Sequence, residues 1–254
     1  MAIYAMTGGA TGIGAALKQQ LRDRGDTVIV VDIEQGDVIA DLSTTEGRTA
    51  AVDGIRAAAP DGLDGFIPCA GLGPHVKPHS LVAQVNYFAV VATIEGVRDL
   101  VAMKRGTILL VSSNSAPMID KQDEFVSLCL SGDEAAACEY VDAKDGHTAY
   151  AGSKRAITTW MRRNVVEYAQ SGVRLNAVAP GITLTPLTDK GFEDEEFGQA
   201  MRDFSAATPV GYAAQPEHIA SAMRFLLSED AAFVCGAMLF VDGGMDALLR
   251  PEDF

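Results

Sequence analysis

Tyr150 and Lys154 stand four residues apart in the run Ala149-Tyr150-Ala151-Gly152-Ser153-Lys154. On a helix, positions i and i+4 share one face, so a phenol and an ammonium at this spacing lie side by side. A neighbouring cation favours the phenolate and lowers the Tyr pKa. Such a Tyr can pass a proton to or from an alcohol or a ketone near neutral pH. A second match to the spacing, Tyr140 and Lys144, contains Asp142 and is followed by Asp145 and Gly146. It is set aside, because the glycine would end a helix there, whereas Tyr150 opens a long helical pattern.

Two serines, Ser112 and Ser113, close the apolar run G-T-I-L-L-V. A hydroxyl at the carboxyl edge of a parallel sheet faces the ligand crevice and can bond a reacting oxygen. It can equally cap the strand, and the spacing alone does not choose between the two serines. Asn86, inside Q-V-N-Y-F-A-V, either satisfies backbone groups in the core or serves the reaction.

Nearer the N-terminus, Thr7-Gly8-Gly9-Ala10-Thr11-Gly12-Ile13-Gly14 joins a short apolar run to a helical pattern. A glycine-rich turn there lets backbone N–H groups approach a pyrophosphate at the helix N-terminus, where the dipole favours anions. The next apolar run ends in Asp32, whose carboxylate can accept both ribose hydroxyls of an adenosine. Against a 2′-phosphate, two like charges about 4 Å apart at an effective dielectric near 20 would repel by roughly 4 kcal/mol. No Arg or Lys stands in the glycine turn or just after Asp32 to offset this. The implied cofactor is NAD rather than NADP.

These groups need a scaffold, and the pattern supplies one. Apolar runs at Ile3–Thr7, Thr27–Asp32, 63–69, 106–111, 173–179 and 237–241 alternate with helical patterns at 12–24, 43–59, 82–103, 149–170, 193–206 and 217–228. T-V-I-V-V-D is apolar on both faces, as a buried parallel strand requires. Such alternation implies an α/β fold: a Rossmann-like, doubly wound parallel sheet with helices on both faces, expected to be seven-stranded, one strand more than the six runs named. There is no linker or internal repeat, so residues 1–254 read as one domain. Residues 114–148 break the rhythm. Two apolar clusters, Phe125–Leu130 and Ala135–Val141 by number, flank Ser131-Gly132-Asp133 and read as a helix–turn–helix with one apolar side. Asp133 or Ser131 can cap the second helix, and Glu134 suits its first turn.

Composition narrows the partners. Of 254 residues 48% are apolar and 21% charged, which excludes disorder. A net charge of −14 repels phosphate backbones and anionic lipid, so neither nucleic acid nor a membrane surface is an expected partner. No apolar run is seen to approach the roughly 20 residues that span a bilayer. The N-terminus carries no basic leader, and the four scattered cysteines show no C-x-x-C. A cytoplasmic protein with reduced thiols and no metal site follows.

Taken in order, T-G-G-A-T-G-I-G at 7–14, Asp32, Asp41-Leu42, Cys69-Ala70-Gly71, Asn86, Ser113, Tyr150-x-x-x-Lys154, Pro180-Gly181 with Thr185, and V-D-G-G at 241–244 resemble the short-chain dehydrogenase/reductase family over nearly the whole chain. The resemblance implies an NAD-dependent oxidoreductase moving a hydride between nicotinamide and an alcohol or ketone. By it, Tyr150 is the catalytic acid/base and Ser113, rather than Ser112, holds the substrate oxygen. Lys154 binds the nicotinamide ribose and lowers the Tyr150 pKa, and Asn86 fixes a water joining Lys154 to solvent. Gly8, Thr11, Gly12, Ile13 and Gly14 cradle the pyrophosphate, and Asp32 with Ile33 takes the adenosine ribose. Asp41, with Leu42 beside it, accepts from the adenine amino group. Cys69, Ala70 and Gly71 border the cofactor, Cys69 replacing the Asn usual in the family. Pro180, Gly181, Thr183 and Thr185 hold the carboxamide end.

A-D-L-S-T-T-E-G-R at 40–48, C-A-G-L-G-P at 69–74, V-N-Y-F at 85–88 and D-G-G-M-D-A-L-L-R-P at 242–251 resemble the bacterial 3α-hydroxysteroid dehydrogenase/carbonyl reductase subgroup. That subgroup also has a long insertion before the catalytic Tyr. A cyclic secondary alcohol or its ketone is then the implied substrate, with other bulky terpenoid or aryl alcohols as the alternative. A non-catalytic dinucleotide sensor is the rival class, and the intact Asn86, Ser113, Tyr150 and Lys154 set argues against it. The insertion leaves and rejoins the chain at reaction-centre residues, so it is expected beside the substrate pocket as an apolar wall. It should also obstruct the face of the Tyr150 helix used in the family's tetramers, leaving a homodimer through 217–241, with a tetramer the alternative.

Overall fold

The computed structural model describes residues 1–195 and 198–253. Seven parallel strands, β1 (Ile3–Thr7), β2 (Thr27–Asp32), β3 (Val38–Ile39), β4 (Gly65–Pro68), β5 (Thr107–Val111), β6 (Arg174–Pro180) and β7 (Met238–Val241), form one sheet. Their order is β3-β2-β1-β4-β5-β6-β7. The order reverses between β1 and β4, and a crevice opens beyond the carboxyl ends of the strands at such a point. The fold is the doubly wound one that the alternating pattern implies. The seventh strand, β3, is two residues long and pairs Val31 with Val38 and Asp32 with Ile39. A segment that short has no periodicity to read.

Side-chain alternation builds two cores from one sheet. Ala5, Ile29 and Val31 face the layer of α2 (Thr45–Ala58), α4 (Ala89–Met103) and α7 (Gly146–Gln170). Tyr4, Met6, Val28 and Val30 face α1 (Gly12–Asp23) and α10 (Pro216–Leu227). In α1, Leu17 and Leu21 are fully buried, which is the stripe that the sequence periodicity marks. The helical pattern at 193–206 resolves into α8 (Pro186–Glu193) and α9 (Gly198–Ala206), and residues 196 and 197 lie outside the described residues.

The segment before α4 is α3 (Ser80–Ala83) followed by a π turn at Gln84–Phe88, and together they run continuously over Ser80–Met103. Contrary to the sequence expectation, this stretch is long and apolar enough to cross a membrane by length and composition alone. Over half of it is buried inside the fold, with Val90, Ile94, Val97 and Val101 packed in the core. Its apolar character is that of a core helix.

The insertion folds as α5 (Glu124–Ser131) and α6 (Glu134–Asp142). Asp123 caps α5 by accepting from Val126 N, and Asp133 caps α6 by accepting from Ala136 N. Gly132 takes the left-handed turn between them at φ 80°. Phe125, Val126, Cys129, Ala137 and Val141 are buried and continuous with the main core. Phe125 lies against Gly152, where an added Cβ would come within 2.6 Å of the ring. Gly152 sits on the side of α7 turned away from Tyr150 and Lys154, two residues from each. The helix pair therefore covers α7 and α3, α5 on the first and α6 on the second, while the stretch at Ser115 and Ala116 stays bonded to Ser113.

Candidate active site

β5 ends at Val111, and the next two serines diverge. Ser112 Oγ lies 2.7 Å from Thr158 Oγ1 on α7. Ser113 lies beside the Tyr150 phenol, and its Oγ accepts from Ser115 N at 3.1 Å and Ser115 Oγ at 3.0 Å. The strand's period of two explains this: one hydroxyl returns to the helix layer while its neighbour meets the crevice.

Tyr150 lies one turn into α7, which begins at Gly146 under an Asp145 cap accepting from Thr148 N at 2.7 Å. Gly146, expected from sequence as a helix end, is instead the first residue of this helix. Lys154 follows on the same face, 94% of its surface removed from solvent, and its Nζ donates to the Val111 carbonyl at 2.9 Å. Burial pushes the Lys154 ammonium down to about 8, partly opposed by the Cys69 sulfur. Burial raises the Tyr150 phenol, and the Ser113 hydrogen bond partly opposes that. The lowering of the Tyr150 pKa by Lys154 expected from sequence is therefore not what the site shows: desolvation is the largest effect, and the group that opposes it is Ser113.

Asn86 sits in the π turn, fully buried. Its Oδ1 accepts from Leu72 N at 2.8 Å, and its Nδ2 donates to Leu72 O at 3.0 Å and Ser153 Oγ at 3.3 Å. The extra residue of a π turn turns a side chain out of helical register, a feature common at functional sites. The amide thus clamps the loop after β4 to α7. Gly71 in that loop lies close to both groups, its added Cβ meeting Asn86 Oδ1 at 3.4 Å and Lys154 Nζ at 3.7 Å.

The glycine turn follows β1. Gly8 has φ 73°, and a Cβ there would meet Ala70 Cα at 2.5 Å, so the turn and the loop after β4 touch backbone to backbone. Gly14 lies equally tight under the Gly8 carbonyl. Thr11 makes no side-chain cap, and the first turn of α1 holds no acidic residue, so the positive end of α1 is open to an anion. Asp32 is fixed by Ala10 N donating to Oδ2 at 3.0 Å and Ile33 N donating to Oδ1 at 2.8 Å. Asp41 accepts from Ser43 N at 2.9 Å and Ser43 Oγ at 2.7 Å, and these bonds hold its carboxyl below the usual range. Cys69 N and Ala70 N bond Thr7 through its carbonyl and hydroxyl. Burial raises the Cys69 thiol to about 11, partly opposed by the Lys154 ammonium.

On the far side of the crevice, Thr183 Oγ1 donates to Gly181 O at 3.0 Å. Thr185 caps α8 reciprocally with Thr188, and its methyl lies 3.2 Å from the point a Cβ on Gly12 would occupy. Any side chain at 12 would fill the gap between the two loops. Pro180 is tied to the serine end of β5 by Asn114 N donating to its carbonyl at 3.0 Å. This cradle, with an open helix terminus at one end and the Tyr150 phenol at the other, suits an extended dinucleotide. Leu72, Thr188 and Arg48 are residues that sequence reasoning missed. Thr188 was legible as the fourth residue of T-P-L-T, while Leu72 acts through backbone atoms that carry no sequence mark.

A family model described as enoyl-(acyl carrier protein) reductase matches residues 8–246. The 3-alpha-hydroxysteroid dehydrogenase/carbonyl reductase of Comamonas testosteroni is 38% identical, with all of both chains covered. The cis-4-hydroxycyclohexanecarboxylate dehydrogenase of Sinomonas cyclohexanicum is 31% identical over 97% of each chain. The crystal structure of 3-alpha-hydroxysteroid dehydrogenase from Pseudomonas sp. B-0831 complexed with NADH superposes at a TM-score of 0.96 and 43% identity, covering 99% of this chain and 100% of that one. With the nucleotide cradle and the Ser113, Tyr150 and Lys154 cluster on one fold, the chain belongs to the short-chain dehydrogenase/reductase family of nicotinamide-dependent oxidoreductases.

Proposed function

We propose that this protein is an NAD-dependent dehydrogenase and carbonyl reductase of a cyclic secondary alcohol and its ketone, with a steroid as the substrate class. The observation that carries the reading is the Tyr150 phenol beside Ser113, with the Lys154 ammonium 5.8 Å from its ring centre on the same helix face. Bound nicotinamide supplies or accepts the hydride at its ring. Ser113 donates to the substrate oxygen, and Tyr150 passes the proton to or from that oxygen. Lys154, fixed by the Val111 carbonyl, holds the nicotinamide ribose, and Asn86 keeps the loop at Leu72 in place beside it. Gly8, Thr11, Gly12, Ile13 and Gly14 take the pyrophosphate, Asp32 and Ile33 the adenosine ribose, and Asp41 and Leu42 the adenine. Cys69, Ala70 and Gly71 line the middle, and Pro180, Gly181, Thr183 and Thr185 the carboxamide end.

The choice of NAD rests on Asp32, a fixed carboxylate with no cation in the glycine turn beside it. The choice of a steroid rests on the hydroxysteroid dehydrogenases among the full-length relatives. A homodimer through α10 and β7 is supported by the exposed Phe225, Phe233 and Leu239 there, and by the insertion covering the outer face of α7. Four free thiols agree with a cytoplasmic protein. The test is a screen of NAD⁺ turnover against steroid, terpenoid and aryl alcohols. Steroid 3-alcohols are expected to give the highest kcat/KM, and a preference for a terpenoid or aryl alcohol would overturn the substrate assignment.

A further inference from the structure

Arg48, in the first turn of α2, is 93% buried and carries a full charge. Its Nε donates to Leu42 O at 2.9 Å, and its Nη2 donates to Ser43 O and Gln84 O, each at 3.3 Å. Its two terminal nitrogens meet the two carboxylate oxygens of Glu134 at 2.7 Å. One planar fork therefore joins three segments: the turn after β3, the opening of the π turn, and the insertion. Carbonyl dipoles satisfy the donors but cannot neutralise a buried cation, so Glu134 supplies the opposite charge. A bidentate Arg–carboxylate pair also fixes direction, which a point charge would not.

The residues so held are those that orient Asp41. Ser43 N and Oγ both bond the Asp41 carboxylate, and Arg48 holds the Ser43 carbonyl from below. Thr44 N and Thr44 Oγ1 both donate to the Asp41 carbonyl, and Gly47 packs directly under that same carbonyl. Leu42, the other residue assigned to the adenine, is held through its own carbonyl. The turn is otherwise exposed, with Asp41 and Ser43 reaching solvent or half-reaching it. Its order comes from beneath, through Arg48.

We propose that Glu134, acting through Arg48, is a positioning residue for the adenine side of the nucleotide site. The insertion thereby sets cofactor affinity, from a helix packed on α3, α5 and the π turn rather than against the reacting phenol. The proposal rests on the assignment of Asp41 and Leu42 to the adenine. Without the carboxylate, the buried guanidinium keeps its charge, draws in water and lets go of the Leu42 and Ser43 carbonyls. The Glu134 side chain is 34% exposed, so solvent moderates the loss.

The experiment is Glu134→Gln in the full chain, assayed with NADH and with reduced nicotinamide mononucleotide, which lacks the adenosine half. The KM for NADH should rise about fivefold, with kcat within about twofold, and kinetics with the mononucleotide should not change. Arg48→Lys, which keeps the charge and loses the fork, should show the same cofactor-selective defect. Equal losses with both cofactors would mean a merely structural role and overturn the proposal, as would an unchanged KM for NADH. Asp41→Ala tests the underlying assignment. If it leaves NADH affinity unchanged, the Asp41 assignment fails, whatever Glu134→Gln does. If Asp41→Ala weakens NADH and Glu134→Gln does not, the positioning inference alone fails. Where both weaken it, the double variant should lose less than the product of the singles, because the two act on one turn.

Discussion

Lys154 places its ammonium 5.8 Å from the centre of the Tyr150 ring and gives a hydrogen bond to the Val111 carbonyl at 2.9 Å. Burial acts on both groups in the direction of neutrality, the phenol up and the ammonium down to about 8. With Tyr150 as the proposed base for alcohol oxidation, the fraction of phenolate grows with pH below a raised pKa. The kcat/KM for oxidation should therefore climb from pH 7 to pH 10. Ketone reduction, with the phenol as the proposed acid, should be level over the same range before falling. Initial-rate profiles in both directions check this, and a level oxidation profile would contradict the assignment of Tyr150 as base. Tyr150→Phe should remove turnover and leave NADH affinity within about twofold, since only the proton carrier is lost.

The Lys154 shift is also a statement about stability. Its ordinary value of 10.5 falls to about 8 on folding, so between those values the unfolded chain holds a proton that the folded chain does not. Stability from this group therefore rises with pH through that window, and the cost of burying the charge is complete below it. Lys154→Met should be more stable relative to wild type at pH 7 than at pH 10. Urea unfolding at the two pH values measures the difference, and a constant gap would show that the ammonium is not desolvated.

Ser113→Ala should lower turnover by on the order of 3 kcal/mol, the scale of one lost hydrogen bond to a developing oxyanion. Ser112→Ala removes the 2.7 Å contact with Thr158 and should chiefly lower the melting temperature. Kinetics and melting curves of the two variants separate the roles. The reverse pattern would assign the substrate oxygen to Ser112.

Asp32 presents a carboxylate whose orientation two backbone N–H groups set. The wild type should favour NAD⁺ over NADP⁺ in kcat/KM by at least about a hundredfold, from the roughly 4 kcal/mol of like-charge repulsion reduced by solvent. Asp32→Ala should narrow the ratio chiefly by improving NADP⁺. Equal wild-type efficiency with both cofactors would refute the electrostatic argument.

What the sequence discloses and what it hides follow from range. The alternating pattern of β2 and the stripe of Leu17 and Leu21 are local, and both elements lie where periodicity puts them. The helix–turn–helix at 124–142 was legible from its two apolar clusters and the Ser131-Gly132-Asp133 break between them. The destination of its apolar face was not, because Phe125 meets Gly152 across the chain and neither residue marks the other. Arg48 and Glu134 show the same limit, since their ion pair spans 86 positions. The Tyr150 pKa went astray for a different reason. Spacing reveals the cation but not the burial, and here burial is the larger effect.

That meeting of Phe125 and Gly152 bears the last prediction. Phe125 is fully buried among residues of the main core, and its ring lies against Gly152 where α5 packs along α7. Phe125→Ala should cost about 3–5 kcal/mol, the range for removing a buried aromatic side chain. Because the ring lies on the far side of α7 from the phenol, kcat at low temperature should fall far less than stability does. Gly152→Ala places a methyl 2.6 Å from the ring and should destabilise by forcing Phe125 outward. Replacing residues 118–144 by a short Gly/Ser loop uncovers the same face of α7. That variant should associate beyond the state of the intact chain, as light scattering would show, since the exposed apolar helix surface must find another cover. A deletion variant with unaltered mass in solution, or a Phe125→Ala chain as stable as wild type, would mean that α5 lies on α7 without shielding it.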